Sequence, residues 1–264
     1  MATVRVNGVT LCYEEYGAGP PILGIHGTGS SARLWEGAVP ELSARGRLIL
    51  YDRRGGGRSE RGAGSGRTGV GQHADDAYAL LRELDALPAV MVGRSYGGEV
   101  ALELARRCPS VATALILLEP AIPALSASMR LWWRAVTGRI NHIARADGPG
   151  VAAECFAREM LGDDGWKELP AEIHELFRSN GPAVLAEING DWTVPDAASL
   201  AGLTLPTLLI SADDSPAAFR AADRALAEIL PRVRHERVPG GHLVDPAGPA
   251  VLAFLDDVLT TTTS

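Results

Sequence analysis

The sequence predicts an α/β fold in which helices flank a mostly parallel eight-stranded sheet, with a helical cap inserted after the sixth strand. Two observations lead to this class. Short apolar runs alternate with longer stretches whose apolar residues have helical spacing. Several of the short runs are almost continuously apolar, as in strands that helices cover on both faces.

Eight short runs are predicted to be strands: Thr3–Val6, Thr10–Glu15, Pro21–Ile25, Arg47–Tyr51, Ala89–Gly93, Ala114–Leu118, Thr207–Ser211 and Arg234–Val238. The first two runs are joined by Asn7-Gly8, a pair that favours a tight hairpin turn. The sheet is therefore expected to begin with an antiparallel pair and to continue as a parallel sheet.

Helical spacing is present in His73–Leu87, Gly98–Cys108, Pro216–Leu230 and Pro249–Leu259. Residues 121–203 have no convincing strand pattern and carry four of the five tryptophans. We therefore predict a core domain formed by residues 1–120 and 204–264, and a helical cap insertion formed by residues 121–203.

The composition narrows the classes of partner. A net charge of −7 disfavours binding to nucleic acid, whose phosphates would repel the protein. No apolar run approaches the roughly 18 residues that a membrane span needs, and the first residues lack a signal-peptide pattern. Cys12, Cys108 and Cys155 are too few and too scattered for a disulfide framework or a zinc site. We expect a cytoplasmic monomer or homodimer that uses no metal and no organic cofactor.

The candidate nucleophile is Ser95, at the centre of the G-x-S-x-G motif that spans residues 93–97. The motif follows an apolar strand and precedes a helical stretch, which is the strand–turn–helix context that such a nucleophile needs. A serine that only caps the helix is the alternative.

The candidate base is His242, which follows the last strand in Gly240-Gly241-His242. A surface-loop histidine is the alternative for this residue. The other histidines have no evident partners and are expected to be mostly solvated, except for His26, which is expected to order its loop; the solvated set is His73, His142, His174 and His235.

An oxyanion hole needs backbone N–H donors where negative charge develops on the substrate. One donor is expected to be the N–H of Tyr96, directly after the nucleophile. The other should come from the glycine-rich loop after the third strand, where Thr28 is favoured and Gly27 is the alternative.

Taken together, these motifs resemble the α/β-hydrolase superfamily along nearly the whole chain. The resemblance lies in His26-Gly27, in the segment of residues 52–59 that is similar to the family's D-x-R-G-x-G-x-S turn, in the Ser95 motif and in Gly241-His242. It implies a cofactor-free serine hydrolase in which the segment of residues 52–59 shapes the loop after the fourth strand.

The acid that orients His242 has two main candidates. Asp214 follows the seventh predicted strand, the usual position in the family, and Asp213 is a minor third choice. Glu119 ends the sixth, and Leu117-Leu118-Glu119-Pro120 resembles a subgroup similar to the zearalenone lactonases. A carboxylate at the end of an apolar strand is costly without a partner, which favours Glu119.

The expected reaction is acyl transfer through an acyl-enzyme, with an ester or lactone of a fairly bulky apolar or aromatic small molecule as substrate. Large apolar residues of the cap are candidates to line the pocket, although cap helices also need such side chains for their own core. They are Trp132, Trp133 and Trp192, together with Phe156, Met160, Trp166 and Phe177. Carbon–carbon bond hydrolases, thioesterases or cyclases and perhydrolases share the fold and stay open as alternatives, and a non-catalytic ligand receptor is the alternative outside enzymes.

Overall fold

The computed structural model describes residues 1–62, 66–192, 195 and 197–262. These residues contain eight strands, each within two residues of its predicted bounds: β1 (Ala2–Val6), β2 (Val9–Tyr16), β3 (Pro21–Ile25), β4 (Arg47–Tyr51), β5 (Ala89–Arg94), β6 (Ala112–Leu118), β7 (Thr207–Ala212) and β8 (Val233–Val238). The strands form one sheet in the order β1-β2-β4-β3-β5-β6-β7-β8. The β1–β2 and β2–β4 pairs are antiparallel and the others are parallel, which confirms the predicted fold class.

The same residues form ten α-helices: α1 (Val39–Ser43), α2 (Val70–Glu83), α3 (Tyr96–Arg107), α4 (Ala127–Asp147), α5 (Pro149–Glu168), α6 (Ala171–Ser179), α7 (Gly181–Ile188), α8 (Ala197–Ala201), α9 (Ala217–Ile229) and α10 (Pro249–Thr262). The bounds predicted for the helix His73–Leu87 were wrong at both ends. It begins at Val70, after the extended Gly69, and ends at Glu83, because Asp85 adopts a φ of 48° that no α-helix accommodates.

Two apolar layers cover the two faces of the sheet. Along β5, Ala89 and Met91 point into one layer, with α2 and α3, while Val90 and Val92 point into the other, with α1 and α10. Side chains alternate across a strand, so a strand covered on both faces must be apolar throughout. This is why the continuous apolar runs predicted the buried strands, and why the polar ends of those strands stand out as the place for chemistry.

Helices α4 to α8 lie between β6 and β7 in the chain, within the predicted cap of residues 121–203. Helices α4, α5 and α7 share an apolar cluster with Phe219 of α9. Helix α5 bends at Gly162, whose φ of 74° and ψ of 162° are not helical. Within this segment Thr193, Val194 and Asp196 fall outside the described residues. The separation of the cap from the core stays a prediction.

None of the helices in the described ranges is both long and apolar enough to cross a membrane.

Candidate active site

Ser95 lies in a sharp turn between β5 and α3, with φ 53° and ψ −122°. This backbone conformation is costly for a residue with a side chain and persists only where its surroundings enforce it. Here the N–H of Ser95 donates to the carbonyl of Leu118 at 2.9 Å, and its carbonyl accepts the N–H groups of Gly98 and Ala121. The turn is thus tied both to the helix that follows and to the end of β6.

The glycines around Ser95 allow a close approach of three backbone segments. A Cβ atom on Gly97 would lie 2.2 Å from the carbonyl oxygen of Ile25, and one on Gly93 would lie 2.4 Å from the carbonyl oxygen of Gly97. On Gly27 a Cβ would lie 3.1 Å from the Cβ of Ser95. The glycine-rich loop after β3 therefore lies directly against Ser95.

His242 is buried beside Glu119. Its Nδ1 lies 3.2 Å from Oε2 of Glu119, and the two side chains are 4% and 0% exposed. The other carboxylate oxygen, Oε1, accepts the N–H of Ala212 at 2.6 Å, so the carboxylate bridges the histidine and the end of β7. The Nε2 atom of His242 is buried and has no hydrogen-bond partner in the described residues, which leaves it available for a proton from Ser95 or a substrate.

The two aspartates after β7 are placed differently. Asp214 has an exposed side chain, and its N–H donates to the carbonyl of Gly240. Asp213 is also exposed and pairs with Arg237 at 2.5 Å. Within the described chain, neither aspartate makes a hydrogen bond or ion pair with His242, whereas Oε2 of Glu119 lies within hydrogen-bond distance of its Nδ1. The structure therefore brings Glu119, and not Asp214 or Asp213, against the candidate base.

Arg53 donates hydrogen bonds to the glycine-rich loop after β3, the candidate oxyanion loop that contains Gly27 and Thr28. Its Nε donates to the carbonyl of His26 at 2.8 Å, and its Nη2 donates to the carbonyl of Gly27 at 3.0 Å. In a trans peptide the carbonyl and the next N–H point in opposite directions, so a fixed Gly27 carbonyl also fixes the direction of the Thr28 N–H. Gly27, Thr28 and Ser95 line the same cavity. The remaining expected donor, the N–H of Tyr96, is in the first turn of α3, where helical N–H groups have no partner in the helix.

A buried ion pair fastens this loop to helix α7. Arg53 and Glu187 are 1% and 2% exposed, with 2.9 Å between Nη1 and Oε1. Asn180, which directly precedes α7, donates to the carbonyls of Gly29 and Ser30 at 3.0 Å. The sequence did not indicate the roles of Glu187 and Asn180, and it indicated Arg53 only as part of the segment of residues 52–59. A charged residue in the apolar stretch of α7 was the available signal, but its partner lies 134 positions away.

His26 orders the loop, as expected, and does so as a neutral ring. Its Nδ1 lies 2.8 Å from the carbonyl of Gly27, and its Nε2 accepts the N–H of Arg53 at 2.9 Å, so the proton belongs on Nδ1. Burial and the charge of Arg53 lower the pKa of His26 to about 3. A second proton on Nε2 would face the N–H of Arg53.

We expect acid to destabilise the protein through His26. The unfolded chain takes up a proton near the ordinary pKa of 6.5, while the folded chain does so only near 3. The free energy of unfolding should therefore fall as the pH drops below about 6.5, with no further loss from this source below about 3. Urea unfolding at pH 7.5, 6 and 5 measures the slope. His26→Gln should make it shallower without removing it, because burial also lowers the pKa of His73; an unchanged slope would contradict this role.

The expectation that most other histidines are solvated was wrong. His73 is buried, with Nδ1 3.5 Å from Nη1 of Arg53 and its ring edge-on to Tyr96. His174 stacks on Trp166, and Ser211 bonds to His235. Only His142 of the four has an exposed side chain. The sequence pattern does not show which face of a helix or strand meets the rest of the protein.

The cavity beside Ser95 and His242 has mostly apolar walls, and its empty space, counted together with the solvent at its mouth, is about 390 Å³. Its apolar side chains are Leu34, Phe156, Ala157, Met160, Leu161, Phe177 and Leu243. Helix α5 supplies four of these, including the two directly before its bend at Gly162. The polar part of the wall is formed by Thr28, Ser30, Arg94 and the two catalytic candidates.

Trp132, Trp133 and Trp192, predicted as pocket residues, are not part of this wall. Trp133 and Trp192 pack edge to face with ring centroids 4.5 Å apart, and Trp132 packs on Phe219 at 5.4 Å. Trp132 and Trp133 lie on α4, whose buried face packs in one apolar cluster with α5, α7 and α9, and Trp192 also packs on Tyr96 with ring centroids 5.1 Å apart. The alternative given in the sequence analysis, a core role, is the one that the structure supports.

Among the described residues, no group of histidine, cysteine and acidic side chains could hold a metal ion.

Comparison with known proteins agrees with the fold. A family model described as the alpha/beta hydrolase fold matches residues 20–244, and the chain belongs to this family. A curated relative is the uncharacterized hydrolase YraK of Bacillus subtilis (strain 168), 34% identical over 118 residues, which are 45% of this chain and 44% of that protein. The chain spans less than half the length of the first curated relatives that it matches.

Solved structures match over nearly the full chain. A thermophilic esterase from Thermogutta terrifontis, in a malate-bound form, is 27% identical with a TM-score of 0.77, covering 99% of this chain and 97% of that one. The enol-lactonase from Burkholderia xenovorans LB400 is 23% identical with a TM-score of 0.75, covering 100% of both chains. The second likeness concerns the fold alone.

Proposed function

We propose that this protein is a serine hydrolase that cleaves an ester or lactone bond of a small molecule, with Ser95 as nucleophile, His242 as base and Glu119 as the acid. The observation that carries the proposal is the buried contact between Glu119 Oε2 and His242 Nδ1, beside a cavity that Ser95 also lines. The strained turn at Ser95 supports it, because such strain is concentrated at functional sites.

The reaction follows from these positions. The hydroxyl oxygen of Ser95 attacks the substrate carbonyl while Nε2 of His242 takes the hydroxyl proton, and Glu119 stabilises the imidazolium that results. The N–H groups of Tyr96 and Thr28, with Gly27 as the alternative to Thr28, bind the oxyanion. His242 then protonates the leaving alcohol and activates the water that hydrolyses the acyl-enzyme.

The substrate we propose is fairly bulky and apolar near the scissile bond, because aromatic and aliphatic side chains form most of the cavity wall. Residues 121–203 act as a cap in this proposal, since α5 and α6 supply five of those side chains. Likeness to the Thermogutta esterase supports an ester substrate. An acid at the end of β6 supports the subgroup that resembles zearalenone lactonases.

The proposal is tested by labelling with a fluorophosphonate, which reacts with an activated serine. The unmodified protein should be labelled once per chain and should hydrolyse nitrophenyl butyrate, whereas Ser95→Ala should lose the label and about 10⁵–10⁶-fold in kcat. Ser30→Ala is the matched control, because Ser30 lines the same cavity, and this variant should keep the label. An unmodified protein that neither reacts nor hydrolyses the ester would instead be a ligand receptor.

A further inference from the structure

Arg94 is a buried cation in the wall of the active-site cavity. It directly precedes Ser95, is 6% exposed, and lines the same cavity as Ser95 and His242. The proposed hydrolysis uses no positive charge at this position. An arginine so close to the reacting atoms therefore needs a separate explanation.

The contacts of Arg94 leave its charge uncompensated. Its Nη2 donates to the carbonyl of Val244 at 2.6 Å, its guanidinium carbon lies 5.5 Å from the ring centroid of Trp35, and its Nε is buried without a partner. No carboxylate in the described part of the chain lies within ion-pair distance of the guanidinium. Asp245 raises the pKa of Arg94, but its own side chain is exposed and accepts the N–H of Ala247.

The other buried arginines of the described chain have acidic partners. Arg53 pairs with Glu187 at 2.9 Å and Arg54 pairs with Asp76 at 2.8 Å. Burying a charge without an opposite charge is costly, and proteins normally pair such groups. Burial lowers the pKa of Arg94 to about 10, so the guanidinium keeps its charge at neutral pH. Of the buried arginines in the described chain, only Arg94, which lines the active-site cavity, lacks an acidic partner.

We propose that Arg94 is a subsite for a carboxylate on the substrate, so that the hydrolysed ester or lactone carries an acidic group. This inference rests on the proposed function. A planar guanidinium matches a carboxylate through two parallel hydrogen bonds. Because Arg94 and Ser95 are adjacent and share one cavity, the carboxylate lies a few carbon atoms from the scissile carbonyl, with the intervening hydrocarbon against the apolar wall.

The test compares two nitrophenyl esters of the same chain length, the monoester of glutaric acid and the ester of pentanoic acid. The unmodified protein should prefer the glutarate monoester, and Arg94→Met should lower the ratio of the two kcat/KM values by about 10- to 100-fold, mainly through KM of the anionic ester. Arg94→Lys should recover part of the ratio, because it keeps the charge without the planar fork.

Arg33→Met is the matched control for a general charge effect. Arg33 is exposed, pairs with Glu36, and lines a second groove that Arg94 also borders. This variant removes one positive charge near the site and should leave the ratio unchanged.

Two outcomes would overturn the subsite. In the first, Arg94→Met lowers kcat/KM for both esters by the same factor, which would show that Arg94 only supports the His242 loop through Val244. In the second, the unmodified protein hydrolyses the pentanoate ester well and disfavours the glutarate monoester. The proposed function would stand in both cases, whereas an unmodified protein inactive on both esters and unreactive with the fluorophosphonate would contradict that function itself.

Discussion

Glu119→Gln is expected to lower kcat by about 10³–10⁴-fold, whereas Asp214→Asn should stay within about threefold of the unmodified protein. The amide keeps the size of the side chain and an oxygen for the N–H of Ala212. It places an NH₂ group or a neutral oxygen opposite Nδ1 of His242, so the imidazolium loses its counter-charge and the ring can take the wrong tautomer. Asp214 is exposed and holds its loop through a backbone N–H that the amide retains.

The measurement is hydrolysis of nitrophenyl butyrate at neutral pH, with kcat and KM determined separately for each variant. Both substitutions remove one negative charge from the same end of the sheet, so each serves as a control for the other. KM should change little in either variant, because neither carboxylate touches the substrate. If Asp214→Asn loses most of its kcat while Glu119→Gln stays close to the unmodified protein, Asp214 is the acid, as is usual in the family, and Glu119 is excluded.

The sequence left this acid open for a physical reason. Glu119 and Asp214 both follow apolar strands, and β6 and β7 are neighbours in the sheet, so both residues come to the same edge. What separates them is the direction of the chain after the strand. Glu119 adopts a φ of 50° and donates its N–H to Ile210, while its buried side chain turns to His242. No sequence pattern encodes that turn.

Whether the other features could be predicted from the sequence depends on how far apart in the chain the interacting residues lie. The strands and the Ser95 turn are local features, set by apolar runs and by glycines, and the sequence predicted both. The pocket wall and the pairing of Arg53 with Glu187 depend on which face of each cap helix meets the core. Helical periodicity gives the width of an apolar face but not its neighbour, so Trp132 and Trp133 were placed wrongly.

Arg53→Met is expected to lower the free energy of unfolding by about 3–5 kcal/mol, because it leaves the carboxylate of Glu187 buried without its counter-charge. It also removes the donors to the carbonyls of His26 and Gly27. Urea unfolding at pH 7.5 measures the first effect. Glu187→Gln should also lower the free energy of unfolding, because it keeps the side-chain size but leaves Arg53 buried with a neutral partner.

The double variant Arg53→Met/Glu187→Leu separates stability from catalysis. Replacing both members of a buried ion pair by apolar side chains is often neutral, so the stability lost in Arg53→Met should largely return. The carbonyl of Gly27 still lacks the guanidinium, so the N–H of Thr28 is less firmly directed at the oxyanion. Since one oxyanion donor contributes about 10²–10³-fold in kcat, we expect the double variant to stay about 10- to 100-fold slow with little change in KM.

A double variant with recovered stability and normal kcat would show that the ion pair only holds α7 to the loop. A slow double variant would instead make Arg53 a positioning residue. It would act on the reaction through the Gly27 carbonyl and the Thr28 N–H, without touching the substrate. In that case the position between Asp52 and Arg54, where the family motif allows any residue, is used here to couple the oxyanion loop to helix α7.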